Sequence, residues 1–172
     1  MKYSDIYRLY STSQPKDAIH QALREVPVDD SDEQYEDRSP LHLACQYGDT
    51  EGVKILLERD AEPNTKDANG STPIHILGRT SAGCADEDKL KEIAVMLIEQ
   101  GANIPRSAKN TTALIECIRN RHFKMAEAII DSGARVNSTD LNGENVLFGF
   151  CAASGDIRRD IRFAKKELDE SV

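Results

Sequence analysis

The chain has 172 residues, 30 acidic against 22 basic, and a net charge of −8. With 30% charged and 39% apolar residues it is too apolar for wholesale disorder, and with 5% aromatics and no Trp its core must come from Leu, Ile, Val and Ala. The acid excess argues against non-specific binding to nucleic acid or to an anionic membrane, and no apolar run approaches the ~18 residues of a membrane span.

The opening residues, Met1-Lys2-Tyr3-Ser4-Asp5-Ile6-Tyr7-Arg8, hold no apolar core of the kind a cleaved secretory leader needs. Residues 4–10 and 16–26 read as two helices. Ser39-Pro40 and Thr72-Pro73 pair a favoured N-cap with a proline in the first helical turn, where the missing N–H costs nothing. Val53, Leu56 and Leu57 stand at i, i+3, i+4, the stripe of an amphipathic helix; Ala94, Leu97, Ile98 and Ala126, Ile129, Ile130 repeat it. Gly101 and Gly133 fit the left-handed residue that closes a helix. Asn69-Gly70 and Asn142-Gly143 read as tight turns. Residues 157–168 read as a last helix.

Three markers recur in constant order. Ser39-Pro40-Leu41-His42 returns as Thr72-Pro73-Ile74-His75 after 33 residues, as Thr112-Ala113-Leu114-Ile115 after 40 more, and as Asn145-Val146-Leu147-Phe148 after a further 33. Asp60-Ala61-Glu62-Pro63-Asn64 is echoed by Gly101-Ala102-Asn103 and by Gly133-Ala134-Arg135-Val136-Asn137, and Asp67-Ala68-Asn69-Gly70 by Asp140-Leu141-Asn142-Gly143. A fixed period of this size marks stacked supersecondary units.

These residues resemble the ankyrin repeat, with its T-P-L-H box opening a first helix, a paired-Leu second helix, a G-A…N exit and a D-x-x-G turn. The resemblance implies an all-α solenoid of helix-turn-helix units joined by β-turn fingers. It also implies a single domain over 1–172, in units 1–33, 34–66, 67–106, 107–139 and 140–172. The weakly matching end units suit capping repeats, which turn one face to water. Unit three has 40 residues, seven more than the period, an excess placed in the inserted loop 79–88, with Asp86, Glu87 and Asp88 suited to the positive end of the following helix. The loop reads either as a tolerated insertion or as a partner contact. Unit four lacks the Pro and His of its box and has Asn110 in the Gly place of its turn.

Catalytic and cofactor chemistry finds no footing. There is no G-x-S-x-G, no G-x-x-x-x-G-K-[ST] and no G-x-G-x-x-G, and Cys45, Cys84, Cys117 and Cys151 form no C-x-x-C. The expectation is a non-enzyme without metal or cofactor. Cys45, Cys117 and Cys151 read as small buried residues and Cys84, in the loop, as an exposed thiol. Free thiols without a leader point to the cytoplasm, with export as an effector and nuclear entry beside a partner left open. By the resemblance, His42 and His75 are structural, bonding backbone between adjacent units.

The resemblance also implies binding to another protein, on the concave face lined by fingers and first helices. Carried over by position, the candidates are Tyr35, Arg38, Asn69, Ser71, Lys109, Thr111 and Asn142 on the fingers and Gln46, Tyr47, Arg79, Arg119 and Asn120 on the first helices. Tyr47, Arg79 and Arg119 lead, since Tyr and Arg most often carry interface energy. Residues 29–37 hold six acids in nine positions, which suits either steering a basic partner or keeping a surface solvated. Small ankyrin proteins of this look include inhibitors of transcription factors in the NF-kappaB class, bacterial effectors and toxin-neutralising proteins. The expected role is therefore a masking inhibitor or adaptor, monomeric, with no nucleic-acid partner. The alternatives are a bacterial effector or toxin-neutralising protein, and a self-associating unit stacking through Ile157, Ile161, Phe163, Ala164 and Leu168.

Overall fold

The computed structural model describes residues 1–12, 14–80, 86–104 and 112–134. They form eight helices: α1 (Tyr3–Ser11), α2 (Lys16–Glu25), α3 (Pro40–Gln46), α4 (Thr50–Leu57), α5 (Pro73–Gly78), α6 (Glu87–Glu99), α7 (Ala113–Arg119) and α8 (Phe123–Asp131). A single 3₁₀ turn, Glu33–Tyr35, precedes α3. Helices pair within each unit, and the units stack in order. The first helices α1, α3, α5 and α7 make one layer, each packed on the next, and the second helices α2, α4, α6 and α8 make the other.

The stacking explains which residues are apolar. All six residues of α5 and the first six of α3 are buried, because these short helices are sandwiched between neighbours on both sides and against their own second helix. The second helices bury one stripe: Val53, Leu56 and Leu57 on α4, Leu90, Ile93, Ala94 and Leu97 on α6, and Met125, Ala126 and Ile129 on α8. The first unit is a full helix pair and contributes Tyr3, Ile6, Tyr10, Ile19 and Leu23 to the common core.

The helix boundaries follow their capping chemistry. Ser39 and Thr72 are N-caps with Pro in the first turn. Thr112 caps α7 by accepting from the Ile115 N–H at 3.2 Å. Gly101 and Gly133 hold φ of +85° and +90° at the ends of α6 and α8. At the end of α4 the same place belongs to Asp60, at φ +62°. The inserted segment is narrower than the expected 79–88. Arg79 is the C-cap of α5 and Thr80 is buried, while Asp86 is the N-cap of α6, its carboxylate accepting from the Asp88 N–H at 3.0 Å. α6 is 13 residues long, against 8 for α4 and 9 for α8. Unit 140–172 with its helix 157–168, the turn at 107–110, Asn142-Gly143, Cys84 and Cys151 lie outside the described residues.

Candidate partner-binding surface

The finger entering α3 is built by acids acting as hydrogen-bond acceptors. Asp32 accepts from the Gln34 N–H at 2.9 Å, and Glu36 and Asp37 both adopt positive φ. The next finger turns on Asp67, whose Oδ1 accepts from the N–H groups of Asn69 (2.9 Å) and Ser71 (2.8 Å), with Gly70 at φ +67°. The Ala68 N–H donates to the Glu36 carbonyl at 2.8 Å and ties one finger to the other.

Finger and first helix are braced at equivalent positions. In the second unit Arg38, on the finger, donates to Gln46 Oε1 on α3 at 2.9 Å and to Glu36 at 2.5 Å. One period later the roles exchange: Arg79, at the end of α5, donates to the Ser71 hydroxyl on the finger at 2.9 Å and to Glu116 on α7 at 3.2 Å. Ser71 is fully buried and offers no surface of its own. Arg79 bridges two units, so its guanidinium is already engaged. Asn120 likewise donates to the Gly78 carbonyl at 3.0 Å, across to α5. Gln46 and Asn69 are half-buried, and Arg119 is exposed at the last turn of α7. Lys109, Thr111 and Asn142 lie outside the described residues.

The aromatic part of the surface is gathered at the first two units. All five tyrosines of the chain lie there. Tyr47, 40% exposed at the C-cap of α3, stacks on Tyr10 with ring centroids 4.8 Å apart. Tyr35, on the finger, packs on Tyr7 of α1 at 4.3 Å. Tyr7 and Tyr10 escaped the sequence reading. Their signal was Tyr3, Tyr7, Tyr10 at i, i+4, i+7, an aromatic face on one helix.

Burial sets the protonation of the structural groups. His42 Nδ1 accepts from the Ser39 N–H (3.2 Å), and its Nε2–H donates to the Ser71 carbonyl of the next unit (3.0 Å). Desolvation lowers the pKa of this ring, against the raising effect of the Ser71 carbonyl and Asp67. His75 repeats the arrangement at Thr72, whose hydroxyl is 2.9 Å from its Nδ1. Burial pushes the Cys45 and Cys117 thiols far up, so neither ionises near neutrality.

A second polar cluster was also missed. Buried Asp49, before α4, accepts from the Tyr10 hydroxyl at 2.7 Å and from His20 Nε2 at 3.0 Å. A Cβ on Gly52 would stand 2.6 Å from the Asp49 carboxylate and 2.8 Å from the Tyr10 oxygen. His122, at the place of Asp49 in the fourth unit, reaches the Thr80 carbonyl at 2.6 Å. These groups hold each unit to the one before it. Among the described residues no group of three or more His, Cys, Asp or Glu side chains is placed to hold a metal ion, and no helix is long and apolar enough to cross a membrane.

The profile described as "Ankyrin repeats (many copies)" matches residues 22–77. The chain is 38% identical over 69 residues to a "Transient receptor potential cation channel subfamily A member 1 homolog" of Caenorhabditis elegans, which is 40% of this chain and 6% of that protein. It is 34% identical over 108 residues to "Neurogenic locus notch homolog protein 1" of Mus musculus, covering 62% of this chain and 4% of the relative. To "Ankyrin repeat protein nuc-2" of Neurospora crassa it is 29% identical over 124 residues, 71% of this chain and 10% of that one. The similarity therefore spans a small part of each of these much longer relatives.

Proposed function

The chain belongs to the ankyrin-repeat family, and on that premise we propose that it binds a partner protein through the surface its fingers and first helices share. Ankyrin repeats are in general non-catalytic protein–protein interaction modules. The observation that carries the reading here is Tyr47, a large side chain 40% exposed yet fixed by stacking on Tyr10. An exposed, immobilised ring loses little conformational freedom on binding. The braces Arg38–Gln46 and Arg79–Ser71–Glu116 hold the fingers at a set angle to the helices, so the surface is presented rigidly. The role is masking or bridging of a partner in the cytoplasm, by a monomer. The acids at 29–37 suit a basic partner.

Capture from native lysate on immobilised protein tests the reading, with a Tyr47→Ala/Arg119→Ala variant as control bait. A protein held by the first and released by the second supports it. The same proteins on both baits would move binding to another face or to self-assembly, which light scattering across concentrations reveals as growth in mass.

A further inference from the structure

Between α1 and the first finger lies a cleft of about 310 Å³, lined by Ser4, Asp5, Tyr7, Arg8, Ser11 and Tyr35. Its wall is aromatic. Tyr35 meets Tyr7 at 4.3 Å and Tyr3 at 5.7 Å, both tilted, and the Tyr3 hydroxyl is buried with no hydrogen-bond partner among the described residues. Desolvation pushes that hydroxyl's pKa up, with Asp32, Tyr7 and Tyr35 adding to the rise and Arg38 opposing it.

The lining itself carries one acid, Asp5, and one base, Arg8; the acid excess belongs to the two segments that flank it. Residues 1–12 and 29–38 carry seven acids against three bases. Arg38 is bound to Glu36 and Gln46. Arg8, also in the lining, sits 3.9 Å from Asp5 with three quarters of its side chain in water, a contact that screening reduces to little. Asp30 and Asp32 accept from the backbone N–H groups of Tyr3 and Gln34, and neither forms an ion pair among the described residues.

Resting on the protein-binding reading, we propose that this cleft seats an arginine side chain of a basic segment in the partner. A guanidinium is planar: it stacks on a tyrosine face and forks its N–H groups onto a carboxylate. Both kinds of group line the cleft: the packed rings of Tyr7 and Tyr35, and the Asp5 carboxylate, one oxygen of which also accepts from the Lys2 N–H at 3.1 Å. An ammonium has the charge but neither the plane nor the fork, so arginine is preferred to lysine.

The test follows the tyrosine ring signals by NMR while a short glycine peptide holding two arginines is added. Saturable shifts at Tyr7 and Tyr35 are expected. The same peptide with citrulline, which keeps the shape and loses the charge, gives none, and the lysine peptide binds more weakly. Tyr7→Leu lowers affinity about fivefold, and Tyr7→Phe, which keeps the ring and the packing, retains it. Equal shifts with citrulline, shifts confined to other residues, or full affinity in Tyr7→Leu overturn the proposal. The peptide assay needs no natural partner, so a failure here leaves the lysate result standing, and a failed capture leaves this one standing.

Discussion

Besides Glu36 and Asp37 on the finger, two described residues that follow helices, Asp60 and Arg121, occupy the left-handed region their side chains disfavour. Asp60 ends α4 at φ +62°, where the Ala61 N–H reaches back to the Leu56 carbonyl at 3.0 Å. The same bond runs from Ala102 to Leu97 and from Ala134 to Ile129, but behind Gly101 and Gly133. Arg121, at φ +66°, fills the place that Gly48 takes at +58° in the second unit. Both side chains are exposed, so Asp60→Gly and Arg121→Gly remove strain without opening a cavity. Each is expected to stabilise by about 1 kcal/mol, read as a higher urea midpoint at unchanged slope. Gly52 is the opposite case. Its φ is ordinary, but the space for a Cβ is taken by the Asp49 carboxylate and the Tyr10 hydroxyl. Gly52→Ala must break that buried cluster and is expected to cost about 2 kcal/mol, whereas a helical Gly→Ala usually gains stability. A gain in midpoint would show that Asp49 is free to move aside.

At the scale of the element, the repeat boxes were legible because they are local. Ser39 and His42, or Thr72 and His75, stand three residues apart on one turn, and the sequence displays them side by side. What was not legible joins distant residues. Asp49 meets His20 across 29 positions, and Asn64 receives the Asn103 N–H across 39. Spacing alone offers no sign of such pairs. Arg79 teaches the same lesson: it was singled out as a contact residue, and its charge is engaged by Glu116, 37 positions on. His42 gives this scale its pH prediction. Burial lowers its folded pKa below the ordinary 6.5, so the unfolded chain takes up the proton more readily. The His42 contribution is complete above about pH 6.5 and is lost as pH falls through the folded value. Wild type should lose more stability than His42→Gln between about pH 7.5 and about pH 5.5, even though the variant starts lower at neutral pH. Parallel losses in the two proteins would mean that the acid sensitivity arises elsewhere.

For the whole molecule, the recurrence carried the fold, since the helix-opening box returns after 33, 40 and 33 residues with the other markers in constant order. The surface was harder to read, because a side chain's exposure depends on what the neighbouring unit does with it: Thr80 is buried, and Tyr47, one period before it, is not. The described helices pack along the stack from each unit to the next, so stability is transmitted one interface at a time. Gly78 lies at one such interface. A Cβ there would stand 3.1 Å from the Ala113 carbonyl and 3.2 Å from Cys117 Sγ and from Glu116 Cβ, so it wedges α5 against α7. The Ala113 carbonyl is backbone at the start of a helix and cannot swing away as a side-chain end would. The wedge also strains the Asn120 bond to the Gly78 carbonyl and shifts the Arg79–Glu116 pair. Gly78→Ala should therefore weaken the hold of α7 and α8 on the stack and leave α1 to α4 nearly untouched. Amide hydrogen exchange measures this directly. Amides of α7 and α8 are expected to exchange about tenfold faster, the equivalent of roughly 1.4 kcal/mol, while those of α1 to α4 keep wild-type protection. Equal acceleration in all eight helices would instead mark the described units as one cooperative block, in which a defect at any interface is shared by the whole array.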